Sequence, residues 1–165
     1  MQVRKPKKIL VAYFSHSGNT REIARKIQKN VSGDIFEIQA VKPYPHDYDA
    51  VVERARQELD SGYKAPLKTR IENVESYDLV FVGYPVWWST VPAPVRSFLS
   101  EYDFSGKTIV PFCTHEGSGL GRSATDISTL CPKSTVLEGV AIRGGDVKDA
   151  QDKVSAWLRG LGVKE

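Results

Sequence analysis

Apolar residues fall along this chain in two alternating regimes. Residues 9–14 (Ile-Leu-Val-Ala-Tyr-Phe) and 79–83 are unbroken apolar runs, as expected of strands buried on both faces of a parallel sheet. Over residues 35–41, Phe36, Ile38 and Ala40 alternate with Glu37 and Gln39. That period of two predicts a half-exposed strand at a sheet edge. Residues 108–113 supply a fourth strand, but Pro111 lies inside it. A central strand uses every N–H, so a bulge or an early strand end is expected there. Residues 136–142 give a fifth strand, interrupted by Glu138 and Gly139, which places it at the other edge.

Between these runs the period lengthens. Ile23, Ile27 and Val31 mark one face of a first helix. Tyr48, Val51, Val52, Ala55 and Leu59 mark a second, with Asp47 as N-cap and Gly62 as stop. Val91, Val95, Phe98 and Leu99 mark a third, with Pro92 and Pro94 suited to its first turn. Leu120, Ala124, Ile127 and Cys131 mark a fourth, ended by Pro132. Val147, Ala150, Val154, Trp157, Leu158 and Leu161 mark the last. Residues 63–77 are polar and irregular. Strands alternating with helices define an α/β chain, a doubly wound five-stranded parallel sheet with helices on both faces. Residues 1–165 read as a single domain. In a 2-1-3-4-5 order, the first, third and fourth strands are neighbours, and a ligand sits outside their carboxyl ends.

The loops after those strands carry the unusual chemistry. Ser15-His16-Ser17-Gly18-Asn19-Thr20 follows the first strand and opens a helix. Unpaired N–H groups, the helix dipole and three hydroxyls make an anion cradle. A P-loop needs a lysine, the dinucleotide fingerprint needs further glycines, and a receiver domain needs acids at this strand end; none is present. A hydroxyl-rich turn that merely caps the helix has the same composition. The second loop is Tyr84-Pro85-Val86-Trp87-Trp88-Ser89-Thr90 and the third Thr114-His115-Glu116-Gly117-Ser118-Gly119. Adjacent tryptophans in a loop point different ways, one to cover a flat ring and one to pack inward. The glycines of the third loop let backbone N–H groups approach a ligand.

Three such loops in this order resemble those of the flavodoxins, and residues 8–162 look like a flavodoxin-like fold throughout. The second and third loops resemble those of one bacterial branch. The resemblance implies FMN as cofactor. Ser15, His16, Ser17, Gly18, Asn19 and Thr20 would hold its phosphate; Pro85, Val86, Trp87, Trp88 and Ser89 would wall the isoalloxazine ring; Thr114, His115, Glu116, Gly117, Ser118 and Gly119 would hold the other edge. It implies a redox protein carrying electrons between a reductase and an acceptor, or alternatively an FMN-dependent NAD(P)H quinone or nitro-compound reductase. No residue is assigned a catalytic role, because the flavin performs the chemistry. Two departures stand out. The acidic surface that surrounds the flavin in familiar flavodoxins is missing from these loops. So is the second-loop glycine, whose peptide turns toward flavin N5 in many of them. Ser89 and Thr90 carry Cβ atoms, so a left-handed backbone there costs on the order of 1 kcal/mol.

Composition narrows the partners. The chain has 165 residues, 41% hydrophobic and 26% charged, with a net charge of +3. The basic residues are scattered, so nucleic acid is not implied. No apolar run is long enough for a bilayer, and the basic start at residues 1–8 precedes too short an apolar run for a signal peptide. The expected compartment is the cytoplasm. The expected partners are redox proteins or a small-molecule electron acceptor, with the chain a monomer or homodimer. Cys113 and Cys131 lack metal or redox spacing and read as buried thiols. The three histidines show no ligand spacing; His16 and His115 read as solvated loop residues. Tyr44 and Tyr48 either flank the site or pack.

Overall fold

The computed structural model describes residues 8–164; all of the basic N-terminal stretch except Lys8 lies outside them. The central strands are β1 (Ile9–Tyr13), β3 (Leu79–Pro85) and β4 (Thr108–His115), with β2 (Asp34–Glu37) beside β1. The helices are α1 (Asn19–Val31), α2 (Tyr48–Ser61), α3 (Ala93–Glu101), α4 (Ser123–Leu130) and α5 (Gln151–Leu161). Strand order is β2-β1-β3-β4 and then the fifth position, all parallel. The expected topology is therefore present.

The unbroken apolar runs divide by parity between two cores. Leu10, Ala12, Val80, Val82 and Tyr84 face Val95, Phe98, Leu99 and Ile127 of α3 and α4. Val11, Tyr13, Phe81, Val110 and Phe112 face Ile23 and Ile27 of α1 and Val154 and Leu158 of α5. Asp47 caps α2 by accepting from Ala50 N–H at 2.9 Å, and Gly62 closes it in the left-handed region.

Three expectations are corrected. β4 runs straight through Pro111, which pairs in register with Val82. The interruption falls on the neighbour instead: the fifth strand is split into β5 (Thr135–Val136) and β6 (Val140–Arg143), pairing β4 on either side of Pro111. Gly139 lies against the Pro111 carbonyl, where an added Cβ would come within 2.5 Å. A residue that cannot donate is thus matched by an edge strand that loops past it. The second strand is also shorter than its alternation implies. Its ladder stops at Glu37, and the chain 66–69 returns alongside 37–41, with Val41 N–H on Pro66 O and Lys68 N–H on Gln39 O. The last helix starts later than its apolar pattern, because residues 144–149 form a 3₁₀ segment before it.

Candidate functional site

The loops after β1, β3 and β4 converge on one cleft of about 670 Å³. His16, Ser17 and Asn19 line it from the first loop, Pro85, Val86, Trp87, Trp88 and Ser89 from the second, and Thr114, His115, Glu116, Gly117 and Ser118 from the third. Four expected residues are not on its wall. Ser15 Oγ accepts from Gly18 N–H at 3.2 Å and Arg21 N–H at 3.3 Å, tying the loop to the start of α1. Gly18 turns the chain into α1 at φ 99°. Thr20 is buried, its hydroxyl 2.8 Å from that of buried Thr114, which locks the helix start to the end of β4. Gly119 offers its carbonyl to the Ser118 hydroxyl at 3.1 Å.

The start of α1 is suited to an anion. Gly18, at the N-cap, has no side chain to offer, and although Ser15 Oγ takes the Gly18 and Arg21 N–H groups, the Asn19 and Thr20 N–H groups have no partner among the described residues. A 13-residue helix directs its positive end here. Arg21 turns away to Glu37 at 2.9 Å. The cradle is therefore made of amides and hydroxyls, the pattern that suits a phosphate ester held without a cation.

The aromatic wall is braced from behind. Trp87 is half-buried and meets Phe14, His16 and Tyr44 edge-on at centroid distances of 5.6, 5.8 and 5.0 Å. Tyr44 donates to buried Glu58 at 2.5 Å, and the Arg54 guanidinium stacks 3.9 Å from its ring. Arg54 also bonds Glu58 at 3.1 Å and the carbonyls of Lys42 and Pro43. Burial, then the Glu58 carboxylate, pushes the Tyr44 phenol far above its usual range. Tyr44 is thus a packing residue in an ionic frame rather than part of the cleft wall.

The second loop leaves the usual backbone regions at Trp88 and Ser89. Trp87 and Thr90 exchange backbone hydrogen bonds at 3.1 and 3.2 Å, closing a two-residue turn. Trp88 and Ser89 have φ of 55° and 65°. This is a type I′ geometry, which normally selects Asn-Gly. A left-handed conformation costs roughly 1–2 kcal/mol per non-glycine residue, so neighbours must hold it. Arg122 N–H donates to Ser89 O at 2.8 Å, and Thr90 Oγ1 bonds the Asp126 carboxylate. Gly121 packs so closely that a Cβ would lie 2.4 Å from Ser89 O. The Trp88 indole N–H reaches across to Val52 O of α2 at 2.9 Å, leaving the ring 45% exposed.

All three histidines of the chain line this cleft, and two are held rather than solvated. His16 Nε2 lies 2.7 Å from Pro45 O and must carry the proton, because a carbonyl only accepts. His115 Nδ1 accepts from Gly117 N–H at 2.9 Å, so its proton sits on Nε2. Burial and then Arg143 hold the His115 imidazole below its usual pKa, favouring that neutral tautomer. The Gly117 amide, expected to face a ligand, is engaged by its neighbour. His46, Tyr48, Val51, Val52 and Ala55 also line the cleft. Of these, the sequence offers only Tyr48 as a flank of the site. The apolar face of α2 was legible as a helix face, but nothing in its spacing says that part of it is turned to a cleft.

A parallel doubly wound sheet with two unpartnered helix-start amides and an aromatic wall at its switch point defines an α/β protein suited to a phosphorylated planar ligand. The chain belongs to the flavodoxin family, whose model matches residues 8–161. A crystal structure described as that of a flavoprotein from Bacteroides eggerthii is 35% identical, with a TM-score of 0.84 over 95% of this chain and 99% of that one. A second, from Bacteroides uniformis, is 29% identical, with a TM-score of 0.83 over 92% and 97%. A Lactobacillus acidophilus flavoprotein in complex with FMN shares the fold at 20% identity, with a TM-score of 0.71 over 88% and 99%. No curated protein matches the chain.

Proposed function

We propose that this chain binds FMN in the cleft and serves as a redox protein carrying electrons between a reductase and an acceptor. The observation that carries this reading is the convergence of three loops on one cleft, with the unpartnered Asn19 and Thr20 N–H groups at the helix start beside it and Trp87 braced within it. FMN supplies the electron chemistry when bound. The chain's own contributions are separable. The Asn19 and Thr20 N–H groups, with the Ser17 hydroxyl, take the phosphate. Trp87 and Trp88 supply apolar ring surface. His115 offers a neutral N–H donor from Nε2. The Thr20–Thr114 hydroxyl pair keeps the first and third loops in register.

The family's relatives agree with a flavin, and the Lactobacillus acidophilus flavoprotein holds FMN. Titration of flavin-free protein with FMN and riboflavin tests the reading. Each hydrogen bond to a charged group contributes about 1.5–3 kcal/mol. FMN should therefore bind at least a hundredfold more tightly. Equal affinity would remove the assignment.

One observation favours a small acceptor over a basic protein partner. Glu116 is the only Asp or Glu among the described residues lining the cleft, so the wall itself carries little negative charge with which to steer a basic surface. Lysine and arginine are absent from the same wall. The start of α1, the anion-suited feature of the described wall, is taken by the FMN phosphate, which leaves no comparable cradle for the diphosphate of NAD(P)H; this weighs against the NAD(P)H-dependent reductase reading and leaves electron supply to a reductase. Purified protein should accordingly oxidise NADPH with a quinone only when a reductase is added.

A further inference from the structure

Past the end of β2, the border of the sheet is a ribbon of two segments, residues 38–42 and 64–70. Ala40 and Leu67 pair antiparallel, with Val41 N–H on Pro66 O at 2.9 Å and Lys68 N–H on Gln39 O at 2.7 Å. In that pattern the N–H and C=O of Leu67 itself point away from the ribbon. Neither has a partner among the described residues, and the same holds for the backbone N–H and C=O of Thr69. Pro66 takes nothing from this outer row, because its missing N–H belongs to the inner side. The border therefore ends on open donors and acceptors, the edge on which an added strand builds its ladder.

Side chains along the outer segment alternate as those of a strand do. Ala65 is buried and Leu67 and Thr69 are half-buried, whereas Lys64, Pro66, Lys68 and Arg70 are exposed. On the facing segment Lys42 is exposed, and Val41, beside Pro66, is 59% exposed. Lys42, Lys64, Lys68 and Arg70 form no ion pair among the described residues. No Asp or Glu occurs in residues 38–46 or 61–71. Glu37, at the end of β2, is held by Arg21 at 2.9 Å and by Gln39 at 3.1 Å.

Open backbone and bare cations together select the partner. A phosphate surface, whether nucleic acid or lipid headgroup, answers the cations but sets anionic oxygens against the Leu67 and Thr69 carbonyls. A second copy of the ribbon answers the backbone but sets cation against cation. An extended acidic peptide answers both. We propose that residues 64–70, with Val41, dock an extended acidic segment of a partner protein as an added edge strand. Its backbone pairs with Leu67 and Thr69, its alternate carboxylates meet Lys64, Lys68 and Arg70, and Lys42 adds to the attraction. The surface does not depend on the FMN reading. It lies on the chain that runs on to the cleft wall at His46, so a partner held here is held beside the cleft.

Titration of the isotope-labelled full chain with a blocked peptide of alternating Glu and Thr residues, followed by amide NMR, tests this. Shifts should fall on residues 38–42 and 64–70, and the Leu67 and Thr69 amides should exchange with solvent at least about tenfold more slowly when peptide is bound. Lys68→Glu/Arg70→Glu should weaken binding about fivefold or more, with FMN uptake and the unfolding midpoint unchanged. Methylating alternate peptide nitrogens keeps every carboxylate but removes the strand's donors, and should weaken binding about fivefold or more. A peptide of alternating Lys and Thr should not bind. The proposal is overturned if the acidic peptide does not bind, if it binds elsewhere, or if the methylated peptide binds as tightly. It is overturned equally if oligothymidylate or phosphatidylserine vesicles shift the same residues at lower concentration, because the ribbon would then be a general anion surface.

Discussion

Replacing Gly121 by alanine separates the clamp on the Trp88–Ser89 turn from ordinary backbone strain. Gly121 has φ 57° and sits so that a Cβ would lie 2.4 Å from Ser89 O and 3.0 Å from its C and Cα. Those are backbone atoms, so no side-chain rotation relieves the overlap. Left-handed alanine costs roughly 1–2 kcal/mol, offset by about 0.4–1 kcal/mol from a stiffer unfolded chain. Overpacking adds about 1–3 kcal/mol. Displacing the turn also strains the Arg122–Ser89 hydrogen bond, typically worth about 0.5–1.5 kcal/mol. A net loss of about 2–4 kcal/mol is expected, measured by urea unfolding of flavin-free protein with an unchanged m-value. Gly119→Ala is the internal control. Gly119 has φ 65° but no atom within 4 Å of an added Cβ, so it should lose only about 1 kcal/mol from strain. Because Trp88 rides on the displaced turn, Gly121→Ala alone should also shift tryptophan emission. If the two variants are equally destabilised, the contact does not hold the turn, and the account of Trp88 fails with it.

Three further outcomes are expected. Thr20→Val should destabilise by about 1–3 kcal/mol by orphaning the buried Thr114 hydroxyl, while Thr20→Val/Thr114→Val should lose clearly less than the sum of the single changes in the same unfolding assay. Burial and the Asp34 carboxylate push Tyr77 up to about 12, and burial pushes Cys113 up to about 12. The native state therefore holds these protons more tightly than the unfolded chain. Stability should be complete below about pH 10 for Tyr77 and fall as pH rises toward 12, with a shallower fall in Tyr77→Phe. Turning over the Trp88–Ser89 peptide would give a type II′ turn, which wants glycine at its first central position; anaerobic reductive titration of FMN-loaded protein should therefore show little one-electron-reduced flavin, more in Trp88→Gly, and a strong long-wavelength band in the unmodified protein would contradict this.

The parts of the molecule legible in advance were those where one physical cause dominates. Ile9–Tyr13 and residues 79–83 lie in strands because only a doubly covered sheet buries nearly every side chain of such runs. Asp47 and Gly62 bound α2 because capping is local chemistry. The three loops meet because strand order brings them together. The remainder depended on tertiary context. Left-handed backbone at Trp88 and Ser89 has no signature in the dipeptide; it is imposed by Arg122, Asp126 and Gly121, more than 30 residues away. Thr20 looked like a ligand hydroxyl, and its burial is decided by Thr114. The α2 wall was missed because one apolar stripe serves both the interior and the cleft, and periodicity does not divide it.

The split fifth strand has a consequence for how this molecule meets its own copies. An open sheet has two borders, and each offers a row of backbone groups on which another chain can template itself. Here one border is two residues, a detour past Pro111, and four more. At the opposite border the four-residue β2 begins and ends on carboxylates, and past its end the returning chain 66–69 occupies the backbone of residues 37–41, Thr69 Oγ1 binding Glu37 O. Neither border presents the long, straight, uncharged ladder that cross-β assembly requires. The proline that looks like a defect inside β4 thus acts through its neighbour, whose broken edge offers another copy no continuous ladder to extend.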